Sequence, residues 1–222
     1  MWYAQALART QGDIDGRRPA QSQESISGSC DSRGQASVFT IGHSNHSAEK
    51  FVGLLKGYGI EVVADVRSRP YSRHAPHFNA RDIEAVLSDN GIRRLFLGFE
   101  LGGRPTAEEF YDADGRVDYA RIESSRPFLD AIQRLEREVR NHRIALLCSE
   151  EDPTRCHRRL LVGRVLGERG IAIRHIRGDG SVQTEGEASG GQPVLFPDLE
   201  VSVRKSIRSV LRRKWRPSSS ER

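Results

Sequence analysis

The stretch that most constrains this chain is IALLCSEEDPTRCHRRLLVGRVL, residues 144–166, where an uninterrupted apolar run gives way to charges, two cysteines and a histidine. Ile144, Ala145, Leu146 and Leu147 follow polar residues and read as a strand covered on both faces, as in the centre of a parallel sheet. Asp152 then suits a helix cap, and Pro153 suits the first helical position, where no amide donor is needed. The spacing predicts one helix from near Pro153 to Gly167 or Gly170, with Leu160, Leu161, Val162, Val165 and Leu166 as its apolar stripe. At about 100° per residue, Arg158 projects into that stripe, His157 lies at its edge and Cys156 points largely away. A guanidinium does not discharge, so an inward Arg158 calls for a nearby anion, with Glu150 and Asp65 as the carboxylates at hand. The same projection ranks Cys148 and His157 above Cys156 as site residues and argues against a Cys148–Cys156 disulfide.

Strand and helix signals alternate from residue 38 onward. VFTIG reads as a strand, SAEKFVGLLKGYG as a helix capped at Ser47 and stopped by Gly57 or Gly59, and EVVADVR as a second strand. NARDIEAVLSDNG follows as a helix with Asn79 as cap and Gly91 beyond its end, then RRLFLG as a strand. SRPFLDAIQRLEREVRNH is the longest helix and feeds the 144–148 strand, and IAIRHI closes the series. This alternation predicts an α/β fold, a three-layer parallel sheet with helices on both faces. Ligands bind beyond the carboxyl ends of such strands. Those ends carry Gly42 to Asn45, Asp65 to Arg69, Gly98 with Glu100, and Cys148 to Glu150, so the polar groups gather on one rim.

A hydrophobic fraction of 36% in 222 residues leaves some of the chain outside a packed core. Residues 1–36 are polar and aperiodic and are expected to form a disordered arm; 37–178 make the α/β domain. Residues 179–200 read as a Gly-rich flexible loop, as does Gly102-Gly103, and 201–222 as a basic C-terminal helix and tail. That tail carries a net +7 against +5 for the whole chain, so the first 200 residues sum to −2. A nucleic-acid argument from charge therefore concerns Arg204, Lys205, Arg208, Arg212, Arg213 and Lys214 alone, set against a docked helix with a solvated basic face. Three cysteines make no disulfide framework, and the chain shows neither a signal peptide nor the roughly 18-residue apolar run of a membrane helix. A reducing cytoplasm, with no membrane partner, is the expectation.

Four ordered motifs, TIGHSN, VADVRSRPYSRHAPHF, LGFELGGRP and ALLCSEEDPTRCHRRLL, with a closing RHI, resemble the bacterial and archaeal domain-of-unknown-function family 488 over about residues 38–178. The resemblance implies an α/β domain with its site at the Asp-Val-Arg, Ser-Arg and Cys-His-Arg motifs. Here these supply Asp65, Arg67, Ser72, Arg73, Cys148, Glu150, Cys156, His157 and Arg158. It supplies no reaction.

The residues themselves narrow the chemistry. A thiol-phosphatase loop fails on spacing, since Cys148 to Arg155 is one residue too long, and Glu150, Glu151 and Asp152 place negative charge where phosphate would sit. Sulfur transfer by a rhodanese-like loop fares no better. A zinc site assembled from His74, His77, Cys148, Cys156 and His157 lacks any paired ligand spacing, so no metal or other cofactor is expected. Acid–base chemistry on a ligand held by arginines uses the most residues: Arg67, Arg69, Arg73 and Arg158, with Ser44 and Ser72, bind an anion. Asp65 and Glu150 then serve as base or acid, with Cys148, His157 and His43 as further catalytic candidates. Such a crevice suits hydrolysis or lysis of a nucleotide, or of a base or sugar of nucleic acid. The competing readings are a non-catalytic module for an anionic ligand or nucleic acid, and a Cys/His metal or thiol-redox protein. The plain alternatives are a packed Cys148, ion pairs of Asp65 or Glu150 with arginines, and no role for His142 or His175.

Overall fold

The computed structural model describes residues 35–188. Their six strands are β1 Ser37–Gly42, β2 Val62–Asp65, β3 Arg93–Phe96, β4 Ile144–Cys148, β5 Ala172–Ile176 and β6 Val182–Thr184, in the order β3-β2-β4-β1-β5-β6. The first five are parallel, as alternation of strands and helices requires. The sixth departs from the expected all-parallel sheet: β6 pairs antiparallel with β5. It lies in the segment expected to be a flexible loop, and it turns back through Asp179 and Gly180, with the Arg177 amide donating to the Ser181 carbonyl at 2.9 Å. Asp-Gly between two extended runs is a hairpin signal.

Every residue of β1 and β4 is buried, which fits strands with helices over both faces. The helices α1 (Ala48–Gly57) and α2 (Ala80–Asp89) cover one face, packing Phe51, Leu55, Ile83 and Leu87 against Phe39, Ile41, Ala145 and Leu147. The other face is covered by α3 (Tyr119–Glu123), α4 (Arg126–Asn141) and α5 (Arg164–Glu168), with Phe128, Ile132, Leu135 and Leu166 against Val38, Ala64 and Leu146. A short α6 (Glu185–Ala188) follows β6. Ser47 caps α1 by accepting from the Lys50 amide at 3.2 Å. Asn79 stands at the cap position of α2, but its side chain accepts from the Ser72 amide instead, at 2.7 Å.

The predicted single helix after β4 is broken in two. Pro153–Arg155 form one turn of 3₁₀ helix, and Asp152 caps it by accepting from the amide and hydroxyl of Thr154 at 2.9 and 2.8 Å. Cys156 is extended (φ −113°, ψ 139°), and the chain restarts as a π-helix over Arg158–Gly163 before α5. The cap is thus spent on a turn that closes after three residues, and helical phase is lost at Cys156.

Strands β2 and β4 are neighbours, yet β2 leads to α2 on one face and β4 leads to the π-helix and α5 on the other. The loops diverge and leave a crevice at the carboxyl ends, the switch point of an open α/β sheet. Most of the arm assigned to 1–36, the remainder of 179–200 and the basic tail with Arg204 to Lys214 lie outside the described residues. Among the described residues no helix is long and apolar enough to cross a membrane.

The loop after β4 crosses the end of β1 so closely that a Cβ on Gly42 would stand 1.8 Å from the Glu150 carbonyl oxygen. Gly42→Ala is therefore expected to lower stability by about 1–3 kcal/mol, read as a fall in the urea midpoint. An unchanged midpoint would show that the loop moves aside freely.

Candidate functional site

A pocket of about 590 Å³ opens at the crevice between β2 and β4. The loop after β2 contributes Arg67, Ser68, Arg69 and Tyr71, and the segment between β3 and α3 contributes Gly103, Arg104, Pro105 and Tyr111. The loop after β4 supplies Cys148, Ser149, Glu150, Arg155, Cys156 and His157. Of its lining residues Arg69, Arg104 and Arg155 are exposed, while Cys148 and Cys156 are buried.

Two sulfurs and an imidazole meet there. The Nδ1 atom of His157 lies 3.7 Å from Cys148 Sγ and 3.9 Å from Cys156 Sγ, and all three atoms fall within 4.8 Å of one another. His157 Nε2 bonds the Val66 carbonyl at 2.9 Å. A carbonyl only accepts, so the proton sits on Nε2 and Nδ1 turns toward the thiols. The hydrogen bond with Cys156, aided by the charges of His157 and Arg158 and opposed by burial, holds the Cys148 thiol well below its ordinary range. Burial, with the proton lent to Cys148, pushes the Cys156 thiol well up. Burial disfavours charge on His157, but the charge of Cys148, the hydrogen bond with it and the hydrogen bond to the Val66 carbonyl together outweigh it and raise the imidazole pKa. Of the two sulfurs it is therefore Cys148 that carries negative charge more readily, with the proton kept on Cys156.

Several expected positions are corrected. Cys156 does not point away: it lines the pocket, because the extended backbone at Cys156 turns it toward Cys148. Arg158 faces inward as expected but bonds no carboxylate among the described residues. It is fully buried and donates to Thr40 Oγ1 at 3.2 Å, to the Glu151 carbonyl at 2.6 Å and to the Glu150 carbonyl. It binds the loop, not the pocket. Asp65, expected on the lip, has no exposed surface. Arg67 grips both its oxygens at 2.8 and 2.7 Å, and Arg94 adds a contact at 2.8 Å. Arg67 also donates to the Phe78 carbonyl at 2.8 Å, so its guanidinium is spent on the fold while its edge lines the pocket.

The remaining candidates divide. Arg69, Cys148, Glu150 and His157 line the pocket, whereas His43, Ser44, Ser72 and Arg73 do not. His43 is buried and stacked on Phe78 with centroids 4.3 Å apart; burial, then the charge of Arg67, lowers its pKa to about 4. It is neutral at ordinary pH. Ser44 fixes the rim through its backbone, its amide donating to the Ser149 carbonyl at 3.0 Å. Ser72 Oγ accepts from the amides of His74 and Ala75 and shapes a turn, with Arg73 exposed beside it. His77 turns to the His46 carbonyl at 2.8 Å, and neither it nor His74 joins the thiol cluster. His175, assigned no role from sequence, is fully buried and bonds Thr40 at 2.8 Å and Glu185 at 3.1 Å.

Sequence reasoning placed Ser68 on the rim but missed Arg104, Arg155 and the tyrosines 71, 111 and 119 as pocket residues. The signal was in Gly102-Gly103-Arg104, which is no flexible loop. A Cβ on Gly103 would lie 2.6 Å from the His157 ring, so only glycine lets this segment close over the imidazole.

The fold and cluster define a class: an open α/β domain with a thiol–imidazole group at the switch point of its sheet. The chain belongs to the family described as domain of unknown function DUF488, which it matches over residues 47–165, more than half its length. The match spans β2, β3 and β4 with the whole pocket. Comparisons with curated proteins and with solved structures return no match.

Asp65 neutralises two arginines that are themselves almost fully buried. Asp65→Asn is expected to cost about 3–5 kcal/mol of stability, measured by chemical unfolding. A variant that keeps wild-type stability while losing turnover would instead mark Asp65 as a general base.

Proposed function

We propose that this chain is an enzyme performing hydrolytic or lyase-type chemistry on an anionic, ring-bearing substrate of the nucleotide kind, free or as a single nucleotide of a nucleic acid. One observation carries the reading: the exposed Arg69, Arg104 and Arg155 line the same pocket as Cys148, Cys156 and His157. Guanidiniums fork onto phosphate oxygens. The rings of Tyr71 and Tyr111 beside them offer faces on which a base can stack. The pocket volume suits a ligand of nucleotide size. Glu150 is the only carboxylate among the lining residues, and with Asp65 committed to Arg67 and Arg94 it takes the proton-carrying role. The free thiols of Cys148 and Cys156 suit a reducing cytoplasm. Where nucleic acid is the substrate, the basic tail adds phosphate contacts of no sequence preference.

Calorimetry with nucleoside monophosphates and their parent nucleosides is expected to favour the phosphorylated member, and Arg104→Ala or Arg155→Ala to weaken that binding roughly 10- to 100-fold. Glu150→Gln should preserve affinity and remove turnover. A Glu150→Gln variant changed only in affinity would make the protein a binding module, and equal binding of nucleoside and nucleotide would remove the arginine clamp.

A further inference from the structure

We propose that Cys148, Cys156 and His157 form a zinc site with three protein ligands and a fourth position open to the pocket. The spacing is the first ground. Tetrahedral zinc with Zn–S near 2.3 Å and Zn–N near 2.0–2.1 Å has donor–donor edges of roughly 3.5–3.8 Å. The two sulfur–nitrogen separations are 3.7 and 3.9 Å, and the whole set lies within 4.8 Å.

Orientation is the second. A metal-bound histidine donates its other ring N–H to a carbonyl or carboxylate, which fixes the tautomer and aims the free lone pair. His157 does this with Val66 at 2.9 Å, and its Nδ1 faces both sulfurs. The third ground is rigidity. Cys148 ends a central strand, Cys156 follows the turn capped by Asp152, and Arg158 bolts the following helix to the loop between them. The ligands are held before any ion arrives.

Two thiolates and an imidazole select zinc over the hard cations, which prefer oxygen donors. All three ligands line the pocket, so the vacant coordination position opens where a substrate enters. Three protein ligands and one open position are the make-up of a catalytic zinc, which brings the pKa of bound water to about 7.

This inference rests on the hydrolytic reading and names its nucleophile. A proton passes from the bound water to the Glu150 carboxylate, and the water oxygen forms a bond to the substrate carbon. The bond from that carbon to the leaving group breaks, the leaving group keeps the electron pair, and Glu150 returns the proton to it. One water is consumed and nothing is oxidised.

The test uses the full-length chain, reduced and freed of metal, titrated with cobalt(II) as a spectroscopic stand-in and with zinc as competitor. The expected result is about one equivalent bound, with a thiolate-to-cobalt charge-transfer band and the intense visible bands of tetrahedral coordination. Cys148→Ser, Cys156→Ser and His157→Ala should each lower zinc affinity by at least about 100-fold, while Cys30→Ser keeps the wild-type spectrum. Circular dichroism of each variant separates loss of a ligand from loss of fold. Absence of the band in the folded wild type overturns the site, as does a band that survives in the Cys148→Ser, Cys156→Ser double variant. A Cys148–Cys156 disulfide that forms in air despite saturating zinc also overturns it and marks a redox pair. The band together with equal binding of nucleoside and nucleotide upholds the zinc and rejects the arginine clamp; phosphate-dependent binding without the band does the reverse.

Discussion

Arg158 carries a permanent charge into the interior, and the way that charge is satisfied fixes the geometry of everything around the pocket. Its guanidinium spans from Thr40 on β1 to the carbonyls of Glu150 and Glu151, so β1 and the loop after β4 become one unit. Arginine only donates, so Thr40 accepts from Arg158 and its hydroxyl hydrogen goes to His175 Nδ1. His175 then holds its proton on Nε2 and donates to Glu185, whose other oxygen takes Arg159 at 2.8 Å. The bonds run from the π-helix through the sheet to α6 and return to the residue beside their origin. Each member is satisfied, which is the condition under which a buried polar network rigidifies a core.

A second clamp works on the opposite side of the same loop. Glu151 is gripped through its two carboxylate oxygens by Arg177 at 3.0 and 2.8 Å, and the Gly178 amide adds a contact at 3.1 Å. Across the crevice, Asp65 does for the loop after β2 what Arg158 does for the loop after β4, tying Arg67 and Arg94 into the floor of β2 and β3. The charged residues behind the pocket, Asp65, Arg94, Glu151, Arg158 and Arg177, are thus spent on holding its walls. The pocket itself is lined by sulfur, imidazole, the Glu150 carboxylate and the outer arginines, carried on these clamped loops.

How much of this was legible in the sequence follows from which forces are local. The alternating apolar runs gave five parallel strands and their covering helices, because burial on two faces leaves a pattern in the residues themselves. The inward direction of Arg158 was legible from its place among Leu161 and Val165, but its partners were not, since backbone carbonyls have no sequence signature. Asp65 and Arg67 read as reactive rim residues because a buried ion pair and a catalytic pair use the same side chains. Cys156 was misplaced for a different reason. A helix projection presumes continuous helix from Pro153, and nothing local announces that Asp152 would close a three-residue turn first. Gly103 reads in sequence as freedom, whereas in the fold it marks close contact with the His157 ring.

That broken helix is what allows three consecutive residues to do different work. In a regular helix Cys156, His157 and Arg158 would fan out at about 100° intervals, and Cys156 could not share a point of convergence with His157 while Arg158 entered the core. Extended backbone at Cys156 resets the direction by one step, so the sulfur and the imidazole both turn to the pocket and the guanidinium lies buried against Thr40 of β1. The π-helix that follows widens the backbone just where Arg158 must pass between Thr40 and the loop carbonyls. Site and anchor therefore meet at one feature of the chain: the irregularity at Cys156 brings its sulfur to Cys148 while Arg158 keeps the inward direction that its place in the apolar stripe gives it, and a helix running unbroken from Pro153 would supply the anchor without the site.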